Sequence, residues 1–427
     1  MIQFNFLLWA FFFIFFLRSA TQLFLNRLNT SYLRKHGHAV PEIFQDTVDR
    51  EKLKNISAYS VDSANFGIQA SLVNQGFFLI ILLSGFLPWL AETISRWGWG
   101  AMINGLAFFG AIALLINLLY LPFNLYETFV IEERFGFNTK TLRLWFIDLL
   151  KSLVVSALLG GVLLYSLLAL MGKGGENWWV WAWVFVGLVE LLILWLYPVL
   201  IAPWFNKFEP IEDKELERRI YTLMEKVGLR PKGVFGMDAS KRSKHTNAYF
   251  TGIGKSKRIV LFDTLMASHT AEEILAVLAH EIGHWKKKHV LKQLLLAETL
   301  SLAGFFILAQ LLPWPLLYHT FGFAEPVPYV GLFLIGALFG PLGYFAQPVG
   351  SAISRKFEQE ADDFALDLMP KAEPITNALK RLAVDNLANL SPHPFYAWFY
   401  YSHPPLVERI SRLKTLSSKL TGVINVF

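Results

Sequence analysis

Apolar residues gather in seven stretches long enough to cross the roughly 30 Å hydrocarbon core of a bilayer: about 3–23, 68–91, 101–124, 147–171, 178–202, 294–317 and 328–349. Polar residues concentrate in two segments, 203–293 and 350–427, neither rich enough in apolar positions to bury much core alone. The chain therefore divides into spans one to five with their loops (1–202), a first polar segment (203–293), spans six and seven (294–349) and a second polar segment (350–427). The expected fold is an all-α polytopic membrane protein with a mainly helical polar domain assembled from the two segments. In the first segment, Lys214 to Val227 has the pattern of a charged amphipathic helix, stopped by Gly228-Leu229-Arg230-Pro231. Asn247 to Phe250 and Arg258 to Phe262 read as the strands of a small β-hairpin, joined by a Gly- and Lys-rich turn from Thr251 to Lys257. Thr270 followed by Glu273 forms a capping box, and Ile274, Leu275, Leu278 and Ile282 give the helix after it a buried stripe.

Charge sets the expected orientation, because Lys and Arg are retained on the cytoplasmic side. The loop after span one carries Arg27, Arg34, Lys35, Arg50, Lys52 and Lys54, the loop after span three carries Arg134, Lys140 and Arg143, and the loop after span five is Lys-rich. The alternate loops hold only Arg96, only Lys173, and no Lys or Arg between Tyr318 and Tyr329. The N-terminus is thus expected outside, and both polar segments inside. No basic residue precedes the first apolar run, which reads as an uncleaved anchor rather than a signal peptide.

Composition agrees: 54% of the 427 residues are hydrophobic and 38 are Phe, far from a soluble chain of that length. The formal charge of +6 falls in inter-span loops that membrane topology already explains, so nucleic-acid binding is not expected. The absence of cysteine removes disulfides, thiolate nucleophiles and thiolate metal sites, leaving His and carboxylates as ligands. Polar residues inside the spans, among them Asn74, Gln75, Asn104, Asn117, Glu190 and Glu298, would be costly against lipid and are expected to line an aqueous interior or pair between helices.

The chemistry centres on His280-Glu281-Ile282-Gly283-His284. Residues four apart on a helix lie one above the other, so both imidazoles can reach one tetrahedral cation while Glu281 faces its open position. A third protein ligand is needed, and Glu358 is the best candidate. Glu358 and Asp362 share a helical face beside the apolar stripe Ile353, Phe357, Ala361, Phe364 and Leu368, so Asp362 could hydrogen-bond a ligand imidazole. Glu360 is the competitor, pointing away from Asp362, and the same spacing also fits an ordinary charged helix face. His269 and His289 keep no ligand spacing with the pentad and are expected at the surface.

These residues resemble a known family. His280-Glu281-Ile282-Gly283-His284 with Glu358-Gln359-Glu360-Ala361-Asp362 is similar to the motif pair of the M48 metallopeptidases. Further segments resemble its Ste24-type CAAX prenyl protease branch: 127–138 after span three, 203–208 after span five, Asn247-Ala248-Tyr249-Phe250 before the zinc helix, and 401–409 near the end. The resemblance implies seven tilted transmembrane helices around a water-filled chamber, closed on the cytoplasmic side by a peptidase site with one zinc ion per chain. It implies that zinc activates water with Glu281 as general base. It also implies that His403 and Arg409 donate to the oxyanion; without it, His403 reads as a helix-entry residue and Arg409 as a solvated helix charge. The run at Asn247 and Ala248 suggests an edge strand to which a substrate peptide adds, though the same run also reads as a structural hairpin.

The expected function is an integral-membrane zinc endopeptidase cutting near the C-terminus of prenylated (CAAX) or membrane-associated substrates. Its partners would be a peptide or lipidated protein and the lipid bilayer. The short uncharged link between spans six and seven, and the absence of a dilysine retrieval signal, tilt the expectation toward a bacterial inner membrane, with the endoplasmic reticulum as the eukaryotic location. Two alternatives stand: a membrane-protein quality-control protease without prenyl specificity, and a seven-span carrier or receptor with a structural metal site.

Overall fold

The structure is a computed structural model, and it describes residues 2–251 and 258–424. Among the described residues, seven helices are long and apolar enough to cross a membrane: Phe6–His36, Arg50–Leu83, Ala101–Glu132, Leu142–Lys173, Gly175–Phe205, His289–Leu311 and Pro328–Leu368. Local chemistry fixes their ends. Asn5 caps the first through Leu7 and Leu8 backbone N–H groups, and Arg34, Lys35 and His36 sit at its carbonyl end. Asp49 and Thr141 cap spans two and four in the same way.

Most of these helices run several turns past the apolar core, which is why they exceed the expected lengths. In two places the expected span is too long instead. The second stops at Leu83, because Gly85 turns left-handed at φ 84° and Phe86–Ser95 leaves as a separate helix. The sixth stops at Leu311, before Pro313 and Pro315, and Pro315–Thr320 follows separately.

Each span packs against the next in sequence, and span seven returns to span one. Spans four, five and six bury only 6, 6 and 0% of their apolar windows within the protein, so they touch their neighbours along narrow seams. Asn74, Gln75 and Arg18 line an interior cavity of about 540 Å³ between spans one, two, three and seven. Glu190 and Glu298 instead hydrogen-bond across spans five and six. Asn117 follows neither expected course and donates to Ala113 O on its own helix.

The two polar segments share one core. Leu216, Ile220 and Met224 of helix Lys214–Lys226 meet Ile274, Leu278 and Ile282 of helix Ala271–Lys286, Ile375 and Leu379 of helix Ala372–Asp385, and Ile410 and Leu413 near the end. Phe44, Val48, Leu53 and Ile56, from the stretch after span one, complete it.

The expected hairpin is part of a larger sheet. Strands β1 (Phe208–Pro210), β2 (Val234–Met237), β3 (Ala248–Thr251) and β4 (Arg258–Phe262) form a four-stranded sheet in the order β1-β2-β4-β3, in which β2 and β4 are parallel. β1 and β2 are too short to show a period-2 pattern in sequence. β3 pairs antiparallel with β4 and lies at the sheet edge. The expected turn after Thr251 falls outside the described residues.

Candidate metal centre

Two helices build the centre. Helix Ala271–Lys286 starts on the expected capping box, with Thr270 and Glu273 satisfying each other's backbone N–H groups. It carries His280, Glu281 and His284. Helix Pro328–Leu368 enters from span seven without a break and carries Glu358 and Asp362. The two meet backbone to backbone at Gly283, where a Cβ would lie 2.8 Å from both Cα and O of Ala361.

His280, His284 and Glu358 present ligand atoms all within 4.8 Å of one another. His280 Nε2 and His284 Nε2 are 3.1 Å apart. Glu358 Oε2 lies 3.3 Å from His280 Nε2, and Oε1 lies 3.3 Å from His284 Nε2. Ligands held tetrahedrally about 2.0–2.2 Å from a zinc ion stand about 3.3 Å apart, so the donor set fits one such ion. Glu358 Oε2 is also buried without a hydrogen bond among the described residues, an acceptor awaiting a cation. Burial and Arg409 push the His280 imidazole down, and the carboxylates of Asp362 and Glu358 beside it outweigh both and hold it up at about 9.

Asp362 sits where the spacing placed it, its Oδ1 2.8 Å from His280 Nδ1. Arg409 is buried, not a solvated helix charge. Its Nε and Nη2 donate to Asp362 at 2.8 and 2.7 Å, and Nη2 stands 3.1 Å from His280 Nδ1 and 3.5 Å from Glu358 Oε2. This bidentate grip fixes the carboxylate that orients His280. His403 stands at the exposed rim, its Nε2 3.2 Å from Glu358 Oε1. Glu281 lies within the charge field of His280, His284, Glu358 and Arg409, and burial raises its carboxyl above the ordinary value despite the pull of both histidines. Asn247 accepts from Phe262 N–H through its backbone oxygen and from Ala248 N–H through its side chain, at the start of the edge strand.

Two expectations need correction. His289 is 1% exposed and contacts His284 and Glu360, and His269 is 7% exposed. Neither is a surface histidine, because the tight turn after Lys286 and the core around helix Ala372–Asp385 enclose them. Sequence reasoning also passed over His245, whose Nδ1 is 2.9 Å from Asn386 Oδ1 and whose Nε2 is 3.2 Å from Glu132 Oε2. Glu132, on a π-helical turn ending span three, also accepts from Tyr59 OH, so this network ties the approach to the edge strand to two spans. A bidentate Arg242–Asp148 pair at 2.9 Å adds span four. Glu132 and His245 lie within or beside segments of family resemblance, whereas Tyr59, Asp148 and Asn386 carry no such signal.

A ring of membrane-length helices closed at one end by this His-His-Glu cluster defines a metallopeptidase built into a membrane. Residues 29–207 match the family described as CAAX prenyl protease N-terminal, five membrane helices, and residues 210–417 match peptidase family M48. The chain is 36% identical over 411 residues to CAAX prenyl protease 1 of Saccharomyces cerevisiae, covering 89% of each. It is 32% identical over 441 residues to the CAAX prenyl protease 1 homolog of Homo sapiens, covering 92% of each. The crystal structure of S. mikatae Ste24p superposes with a TM-score of 0.91 at 32% identity, over 96% of this chain and 99% of that one. The chain belongs to the Ste24-type branch of the M48 metallopeptidases.

Proposed function

We propose that this chain is a zinc endopeptidase that cleaves near the C-terminus of prenylated (CAAX) proteins at the mouth of its membrane chamber. The observation that carries the reading is the near-tetrahedral spacing of His280, His284 and Glu358 where span seven enters the polar domain. These three residues would hold one zinc ion, which when bound would supply Lewis-acid polarisation and lower the pKa of water. Glu281 takes the proton of the attacking water and returns it to the leaving amine. His403, at the exposed rim, donates to the developing oxyanion. Arg409 adds positive charge there, acting mainly through Asp362 and His280. Edge strand β3, from Asn247 and Ala248, binds the substrate backbone by strand addition. The interior cavity offers room for a lipid chain attached to that substrate.

The four-part organisation 1–202, 203–293, 294–349 and 350–427 is a division of labour within this assembly, since helix Pro328–Leu368 crosses the last boundary unbroken. The basic loops orient the site toward the cytoplasm. The CAAX prenyl protease relatives named above are eukaryotic, which favours the endoplasmic reticulum over a bacterial inner membrane. Family membership favours the peptidase over the seven-span carrier.

Purified protein in detergent is expected to hold one zinc per chain and to cleave a farnesylated CAAX peptide. Chelation should remove at least about 99% of the activity and added zinc restore it, since a zinc site supplies several kcal/mol of transition-state stabilisation. Equal cleavage of the unmodified peptide would replace prenyl processing with general membrane-protein turnover.

A further inference from the structure

The two imidazoles of the centre are supported differently. His280 leans directly on a carboxylate, Asp362, at 2.8 Å. Among the described residues no carboxylate backs His284 directly; its Nδ1 faces His289 Nδ1 at 3.0 Å, and His289 Nε2 in turn faces Glu360 Oε2 at 3.0 Å. We propose that His289 and Glu360 are positioning residues for His284, forming a carboxylate–imidazole–imidazole relay that ends on the metal.

The proposal rests on the zinc reading above and on hydrogen-bond direction. His284 turns Nε2 toward His280 and Glu358, so a metal bound there leaves its proton on Nδ1. That proton needs an acceptor, which fixes His289 Nδ1 as the unprotonated nitrogen. Neutral His289 then carries its proton on Nε2, where Glu360 accepts it. Only one set of tautomers satisfies every contact. The placement is enforced on both sides: His289 is 1% exposed and stacks on Phe357 with ring centroids 4.2 Å apart and planes 9° from parallel. Lys288 adopts a left-handed conformation at φ 56°, costly for a residue with a side chain, and this turn brings His289 back against His284.

The helix carrying the third ligand explains Glu360. Two residues beyond Glu358 is about 200° around a helix, so a carboxylate there cannot join Glu358 at the metal but can reach the far side of His284. One and a quarter turns of helix thus supply a ligand in Glu358, a direct support for His280 in Asp362 and an indirect one for His284 in Glu360. A carboxylate behind the relay makes the metal-facing nitrogen of His284 more basic and locks its ring orientation.

The test measures zinc dissociation constants of full-length protein in detergent by competition with a fluorescent chelator, with the apo-protein melting temperature followed in parallel. His289→Phe keeps a ring against Phe357 but removes the acceptor, and should weaken zinc binding about 10- to 100-fold without lowering the apo melting temperature. His289→Asn returns an acceptor near Nδ1 and should recover most of that loss. Glu360→Gln should weaken binding about tenfold in the native background and not at all beside His289→Phe, because Glu360 reaches His284 through His289, its other partner being Lys292 Nζ at 3.5 Å. Zinc affinity of His289→Phe within twofold of the native protein overturns the proposal, as does an equal effect of Glu360→Gln in both backgrounds. If His289→Phe does not fold, Glu360→Gln decides alone: native affinity overturns the relay. Failure of the native protein to bind zinc overturns the metal reading itself and the relay with it.

Discussion

Glu281→Gln is expected to lower kcat/KM on a farnesylated CAAX peptide by about 10²- to 10⁴-fold while leaving zinc content and melting temperature unchanged, because the amide keeps the shape of the side chain but cannot accept the proton of the attacking water. Glu281 contributes no ligand atom to the cluster of His280, His284 and Glu358, so metal binding should survive. The native enzyme should show the same chemistry in its pH profile. A general base works ionised, so activity is retained above its pKa and lost as pH falls through it. Burial raises the Glu281 carboxyl, which shifts this acid limb above the range of a free carboxylate. Zinc analysis, thermal unfolding and initial rates on the purified variant check the prediction. A variant with native turnover would remove Glu281 from the reaction.

Gly283→Ala should be nearly as damaging, though it changes neither charge nor a ligand. An added methyl would lie 2.8 Å from Ala361 Cα and O and 3.2 Å from Phe364 Cβ, on the helix that presents Glu358. Two of those atoms are backbone, so the helices must separate. Alanine favours helix by about 1 kcal/mol over glycine, while overpacking costs about 1–3 kcal/mol, so the net effect is destabilising. Its larger consequence is geometric. Separation by about 1 Å moves Glu358 off the two imidazoles, and a misplacement of that size costs about 10² in rate. Zinc affinity and kcat should fall together, unlike in Glu281→Gln, and measuring both separates the two variants. Native zinc affinity in Gly283→Ala would show that the interface yields elsewhere.

Much of this architecture could be read from patterning, and what could not has a common cause. Hydropathy located all seven spans but misjudged their ends, since it senses contact with lipid whereas a helix stops at a cap, at Gly85 or at Pro313. Helical spacing brought Glu358 and Asp362 to one face, and the capping box at Thr270 stands as expected. Partners fixed only by the tertiary fold stayed hidden. Glu360 lies 71 residues from His289, Arg409 lies 47 from Asp362, and Asn386 lies 141 from His245. The same holds for β1 and β2, whose place in the sheet depends on a parallel pairing that leaves no mark in such short strands.

Helix Pro328–Leu368 makes Glu358, the carboxylate of the cluster, an extension of a span. Glu358 lies ten residues beyond Pro348, about 15 Å along the axis, so a change in tilt of about 4° pivoting there swings the carboxylate by about 1 Å. Spans tilt to match the hydrocarbon around them. A bilayer that changes the tilt of this span would therefore move the carboxylate relative to the two imidazoles. In vesicles of phosphatidylcholines that differ only in acyl length, kcat should pass through a maximum at constant zinc content, and a flat response would show that the helix is held rigid at its base.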